Sequence, residues 1–138
     1  MSGLARFVEA QERSYDRALA ELTAGRKDGH WMWYIFPQLR GLGRSETARF
    51  YGIEDMAEAR AYLAHPVLGP RLSACTLALL PHHGTPPERI MGGIDALKLR
   101  SSMTLFEAAG GGPEFGEVLE AYYGGERCPL TINLLAAS

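Results

Sequence analysis

Lys27-Asp28-Gly29-His30-Trp31-Met32-Trp33-Tyr34-Ile35-Phe36-Pro37-Gln38 is the stretch whose reading decides the fold. Four aromatic side chains fall within the six positions 31–36, and both tryptophans of the chain are among them. So much apolar surface has to be buried. Continuous apolarity over His30 to Phe36 fits a buried strand or a short buried helix, and periodicity does not choose between them. Pro37 closes the segment on either reading. The flanking sequence tips the balance. No segment shows sustained period-two alternation, whereas helical spacing recurs along the chain. The expectation is an all-α domain: a compact bundle of six or seven helices over residues 1–138, with a short strand over 31–36 as the alternative.

On the N-terminal side, Leu4, Phe7, Val8, Tyr15, Ala18, Leu19 and Leu22 recur at three- and four-residue steps. This predicts one amphipathic helix over 4–24, capped by Ser2 and stopped by Gly25. On the C-terminal side, Gln38 to Arg44 is a loop punctuated by Gly41 and Gly43, and Ser45 caps a short helix through Tyr51. Asp55-Met56-Ala57-Glu58 opens a helix that ends before Pro66. Val67 to Leu80 is helical with Pro70 in its first turn, where proline is tolerated. Thr85-Pro86-Pro87-Glu88 starts the next helix, and Gly92-Gly93 breaks it. Helices over 94–109, 114–123 and 131–137 complete the chain, separated by glycine runs.

The 138 residues suffice for one hydrophobic core. Composition is 46% hydrophobic and 22% charged, which excludes a disordered chain. A net charge of -2 gives no global attraction to nucleic acid or to an anionic membrane, so neither is expected as a partner. Cys75 and Cys128 are too few for a disulfide framework or a zinc signature, and His82-His83 has no carboxylate or thiol at ligand spacing. No metal and no cofactor is expected. The N-terminus lacks a secretory leader pattern, and no apolar run reaches spanning length, so the expected compartment is the cytoplasm.

Three segments could carry chemistry. Lys27 and His30 precede the buried aromatic block and should lie at its rim. If the block is a strand, alternation turns Trp31 toward a pocket and Trp33 toward the core. Either Trp31 or Trp33 could stack a planar ligand, with Trp31 the expected one. Gly41-Leu42-Gly43-Arg44-Ser45 places glycines before a capped helix, where backbone N–H groups attract anions and Arg44 and Ser45 add donors. A plain loop with an N-cap explains the same residues. Asp95-Ala96-Leu97-Lys98-Leu99-Arg100-Ser101-Ser102-Met103-Thr104 sets Asp95, Lys98, Ser101 and Ser102 on successive turns of one helix. That row reads as an acid/base or phosphate-contact row; a solvated Asp–Lys pair with exposed serines is the plain alternative.

These segments also carry a resemblance. Lys27…His30-Trp31-Met32-Trp33…Phe36-Pro37-Gln38, Gly41-Leu42-Gly43…Ser45 and Tyr51 resemble the uncharacterised family known as domain of unknown function 1810. So do Tyr62-Leu63…His65-Pro66…Leu68-Gly69…Arg71-Leu72 and Asp95…Lys98…Ser101-Ser102-Met103-Thr104-Leu105-Phe106. Members sometimes carry the label calpastatin, yet nothing in this compact chain resembles the long disordered repeats of that calpain inhibitor. The resemblance implies a small, mostly helical, cytoplasmic bacterial domain without an established activity. The family pattern has an acidic residue shortly before the closing threonine; Glu126 is the nearest acid before Thr131 here.

The expected ligand is a phosphate-bearing small molecule of the nucleotide or ADP-ribose type. Lys27, Trp31, Arg44, Ser45, Ser101, Ser102 and Thr104 would bind it. His30, Asp95 and Lys98 would act on it if it is hydrolysed. The combination of tryptophan, lysine and acid is loosely similar to that of small helical ADP-ribose N-glycosidases, an analogy of residue types only. The alternative is a non-catalytic module that binds an anion or a protein.

Overall fold

The computed structural model describes residues 3–137. They are 67% helical, with ten α-helices and no sheet. The expected all-α architecture is what forms. The expected helix over 4–24 is two helices, α1 (Ala5–Glu12) and α2 (Tyr15–Thr23). The break has a physical cause. Gln11 is 1% exposed, and its Nε2 donates to the Tyr34 carbonyl at 2.8 Å and to the Tyr62 hydroxyl at 3.0 Å. Ser14 Oγ pairs with the Tyr34 hydroxyl at 2.9 Å. Two polar side chains are thus drawn inward, one on each side of the break. Serine satisfied in this way competes with the helical backbone. Ser2, expected as the cap, lies outside the described residues.

The aromatic block forms a single helical turn, α3 (Met32–Ile35). The strand alternative falls. The one ladder contact among the described residues is an isolated parallel bridge between Leu39 and Ile53. Trp31, Met32, Ile35 and Phe36 are buried, while Trp33 and Tyr34 are half-buried. This reverses the expected assignment of the tryptophans. Helical spacing puts residues 31, 32, 35 and 36 on the core side and turns Trp33 outward.

The chain continues through α4 (Glu46–Tyr51), α5 (Met56–Ala64), α6 (Leu68–Leu79) and a 3-10 turn at Leu80–His82. It then forms α7 (Pro87–Met91), α8 (Gly93–Ala108), α9 (Glu114–Tyr123) and α10 (Pro129–Ala137). Ser45 Oγ accepts from the Ala48 amide at 3.1 Å, and Asp55 Oδ1 from the Glu58 amide at 2.9 Å, so both expected caps form. In α7, Pro86 occupies the cap position without a side-chain bond, so Thr85 is not the cap.

The longest helix, α8, packs against α5, α7, α9 and α10. Its Leu99, Met103 and Phe106 enter the core, where Phe106 lies 5.2 Å from Tyr62 and 6.0 Å from Phe115, ring centre to ring centre. Opposite it, α6 packs on α2, α5 and α9. A Cβ at Gly69 would collide with the Leu63 carbonyl, so only glycine lets α6 start this close to the end of α5. No single helix among the described residues is long and apolar enough to cross a membrane.

Candidate functional site

A cleft of about 450 Å³ opens where the first turns of α8 face the loop between α2 and α3. The loop is built from Glu21 outward. Its Oε1 accepts from the Asp28 amide at 2.7 Å, the Gly29 amide at 2.8 Å and Trp31 Nε1 at 2.9 Å. Its Oε2 accepts from Arg17 Nε at 2.9 Å. Burial pushes the Glu21 carboxyl up. Donors from Gly29, Asp28, Trp31 and Arg17 outweigh that and bring it from 4.5 down to about 2. The Lys27 amide donates to the Ile90 carbonyl at 2.7 Å, which ties the loop to the end of α7.

Two lysines face one carboxylate across the cleft. Lys27 Nζ lies 2.9 Å from Asp95 Oδ2, donates to the Gly29 carbonyl at 2.5 Å and sits 4.9 Å from the Trp31 ring centre. Its side chain is 8% exposed. Lys98 Nζ lies 3.9 Å from Asp95 Oδ1 and 4.8 Å from the Trp33 ring centre. Its side chain is 22% exposed, and its ammonium has no hydrogen-bond acceptor among the described residues. A tryptophan face therefore orients each cation.

Helix α8 adds a second source of positive potential. Gly92 enters it at φ 86, a conformation that favours glycine, and supplies no side-chain cap. The amides of Gly93, Ile94 and Asp95 have no acceptor among the described residues. Uncapped amides at the start of a 16-residue helix carry the positive end of its dipole. Met32, Trp33, Met91 and Ile94 form the apolar walls, and His30 lines the mouth. Two ammonium groups and a helix N-terminus against one carboxylate leave the cleft suited to an anion.

Of the residues read from the sequence, Lys27, His30, Asp95 and Lys98 converge here. Trp31 does not wall the cleft; it is 2% exposed and lies beneath Lys27. Arg44 and Ser45 stand on the surface outside it, with Ser45 engaged as the cap of α4. Ser101 and Thr104 are turned toward the start of α10. Ser101 Oγ donates to the Leu97 carbonyl at 3.2 Å and to Cys128 Sγ at 3.3 Å. Thr104 Oγ1 donates to the Arg100 carbonyl at 2.8 Å and accepts from the Cys128 amide at 2.9 Å. These two hydroxyls hold the chain between α9 and α10. Ser102 is fully buried one turn beyond Lys98, and its Oγ has no hydrogen-bond partner among the described residues.

Sequence reasoning turned Trp33 toward the core and missed Met91, Ile94 and the organising role of Glu21. The adjacent glycines at 92 and 93 were the available signal, and they read only as a helix breaker. A larger depression of about 680 Å³ lies between the 3-10 turn and α9, lined in part by Glu117, Glu120 and Arg127. It is a poorer anion site. Arg127 is already paired with Glu107 at 2.6 Å and Glu120 at 3.5 Å, and the other charges there are acidic.

A family model described as "Protein of unknown function (DUF1810)" matches residues 1–135. The crystal structure of the conserved hypothetical protein Rv1873 from Mycobacterium tuberculosis superposes on this chain with a TM-score of 0.95. The two are 51% identical, and the match covers 98% of this chain and 97% of that one. No curated protein matches.

Proposed function

The chain belongs to the DUF1810 family, whose description assigns no activity, and we propose from the cleft alone that the protein binds a phosphate-bearing small molecule. The observation that carries this reading is the Lys98 ammonium. It is oriented by Trp33, reaches Asp95 only at 3.9 Å and has no hydrogen-bond acceptor among the described residues, beside three uncapped amides of α8. Phosphoryl oxygens satisfy both kinds of donor at once. Lys27 is already held by Gly29 and Asp95, so it contributes charge and anchors the carboxylate. The Trp33 face that Lys98 covers serves to aim the ammonium; it is not an open stacking platform.

In the hydrolytic form of this reading, Asp95 Oδ1 accepts a proton from the water that attacks the ligand, and His30 returns one to the leaving group. In the binding-only form, the same cleft holds an anion without turnover.

Thermal melting with inorganic phosphate, AMP, ADP-ribose and NAD tests the reading. A ligand at a hundred times its dissociation constant stabilises by about 2.7 kcal/mol, a rise of roughly 10 °C in Tm for a domain of this size. A flat Tm across all four at millimolar concentration overturns the reading. Chromatography of the same mixtures separates its two forms, since hydrolysis releases nicotinamide or ribose phosphate and binding alone releases nothing.

A further inference from the structure

We infer that the ligand of this cleft is amphipathic, and that its uncharged part lies on an apolar rim built from Met91 and Ile94. The first turn of α8 then selects what the phosphate is attached to. This rests on the anion-binding reading and goes one step further, to the class of ester bound.

Ile94 is 75% exposed and Leu97, one turn on, is 64% exposed. An i, i+3 pair shares one stripe of the helix, so together they form an apolar edge beside the cleft, with Ile94 itself lining it. Neither side chain belongs to the core cluster of the described residues. Met91 and Met32 line the cleft as well, and their flexible thioethers mould to flat or irregular apolar groups.

The cleft's charged side chains, Lys27, Asp95 and Lys98, are grouped about the single carboxylate. Met32, Met91 and Ile94 offer no side-chain hydrogen bond. A ribose placed against them would leave its hydroxyls without partners, which is costly. A planar heterocycle or an aliphatic group would instead gain by leaving water. Phosphate therefore sits at the Lys98 end, and the apolar substituent leans on Met91 and Ile94.

Isothermal titration with four probes tests this: inorganic phosphate, ribose 5-phosphate, 1-naphthyl phosphate and AMP. Wild-type protein is expected to bind 1-naphthyl phosphate and AMP about tenfold more tightly than ribose 5-phosphate, the equivalent of burying roughly two methylene groups. Ile94→Ser is expected to reduce that preference to less than about threefold. It should lower the affinity for 1-naphthyl phosphate more than that for ribose 5-phosphate, and leave the Tm unchanged because the exposed side chain lies outside the core cluster. Leu130→Ser removes an exposed leucine (64%) outside the cleft and should change nothing. Equal wild-type affinity for all four probes overturns this inference and leaves the anion-binding reading standing. So does an Ile94→Ser protein that keeps the full preference. Absence of binding by every probe overturns both.

Discussion

Two lysine–tryptophan pairs face Asp95, and they differ in what satisfies the lysine. Lys27, over Trp31, is 8% exposed and bonded to Gly29 and Asp95. Lys98, over Trp33, is 22% exposed and reaches Asp95 only at 3.9 Å. The first pair is closed by its own protein, so its role is to hold the loop and the carboxylate. The second is left open, and the proposed anion-binding role rests on that difference. Residue type alone does not separate the two; the hydrogen-bond count does.

The largest expected effect falls on the closed pair's support. Glu21→Ala removes the acceptor of four donors and leaves Trp31 Nε1 buried without a partner. A stability loss of about 3 kcal/mol should follow in urea unfolding. The same carboxylate sets a pH limb. Its folded pKa, about 2, lies below the ordinary 4.5, so its contribution is fully present above 4.5 and is lost as pH falls toward 2. Glu21→Gln should flatten that limb in acid-unfolding curves. An unchanged limb would mean the loop is held by something else.

Lys27→Met ranks next. It leaves Asp95 facing only the distant Lys98, and should cost about 2 kcal/mol in the same measurement. A cost equal to that of Lys98→Met would erase the distinction between the pairs. The buried hydroxyls of α8 sharpen it from another side. Thr104→Val strands the Cys128 amide and should cost about 1 kcal/mol, whereas Ser102→Ala removes an unpartnered hydroxyl and should be neutral or stabilising by up to about 1 kcal/mol. Lys98→Met should change stability least, by under about 0.5 kcal/mol. Its affinity for AMP should nonetheless fall about tenfold, because a charge-assisted donor to phosphate is gone. Melting curves and calorimetric titration report the two quantities separately.

The helical class was legible because apolar residues at three- and four-residue steps have one stable solution, burial of a stripe. The bounds of α9, Glu114–Tyr123, follow from the glycine runs on either side. The split between α1 and α2 was not legible, since Gln11 and Ser14 resemble ordinary surface residues until Tyr34 and Tyr62 are folded against them. The tryptophans were assigned to the wrong sides because six apolar positions fit either period. Period two turns Trp31 outward, and period 3.6 turns Trp33 outward.

At the site, Lys27, His30, Asp95 and Lys98 were legible as polar residues beside buried segments. Ser101 was drawn into the same row by spacing and Thr104 by lying in the same segment, yet each lies nearer the stripe covered by α10, and their partner Cys128 is 24 to 27 positions away. Glu21 gave no local signal, because its acceptor role exists only once the loop returns to α2.

Amide and indole N–H chemical shifts during titration of wild-type protein with AMP test the central claim most directly. The account predicts that the largest shifts fall on Gly93, Ile94, Lys98 and the Trp33 indole, with the Trp31 indole, Ser101 and Thr104 almost still. Shifts concentrated around Arg127, or spread thinly over the surface with Gly93 and the Trp33 indole unmoved, would contradict it.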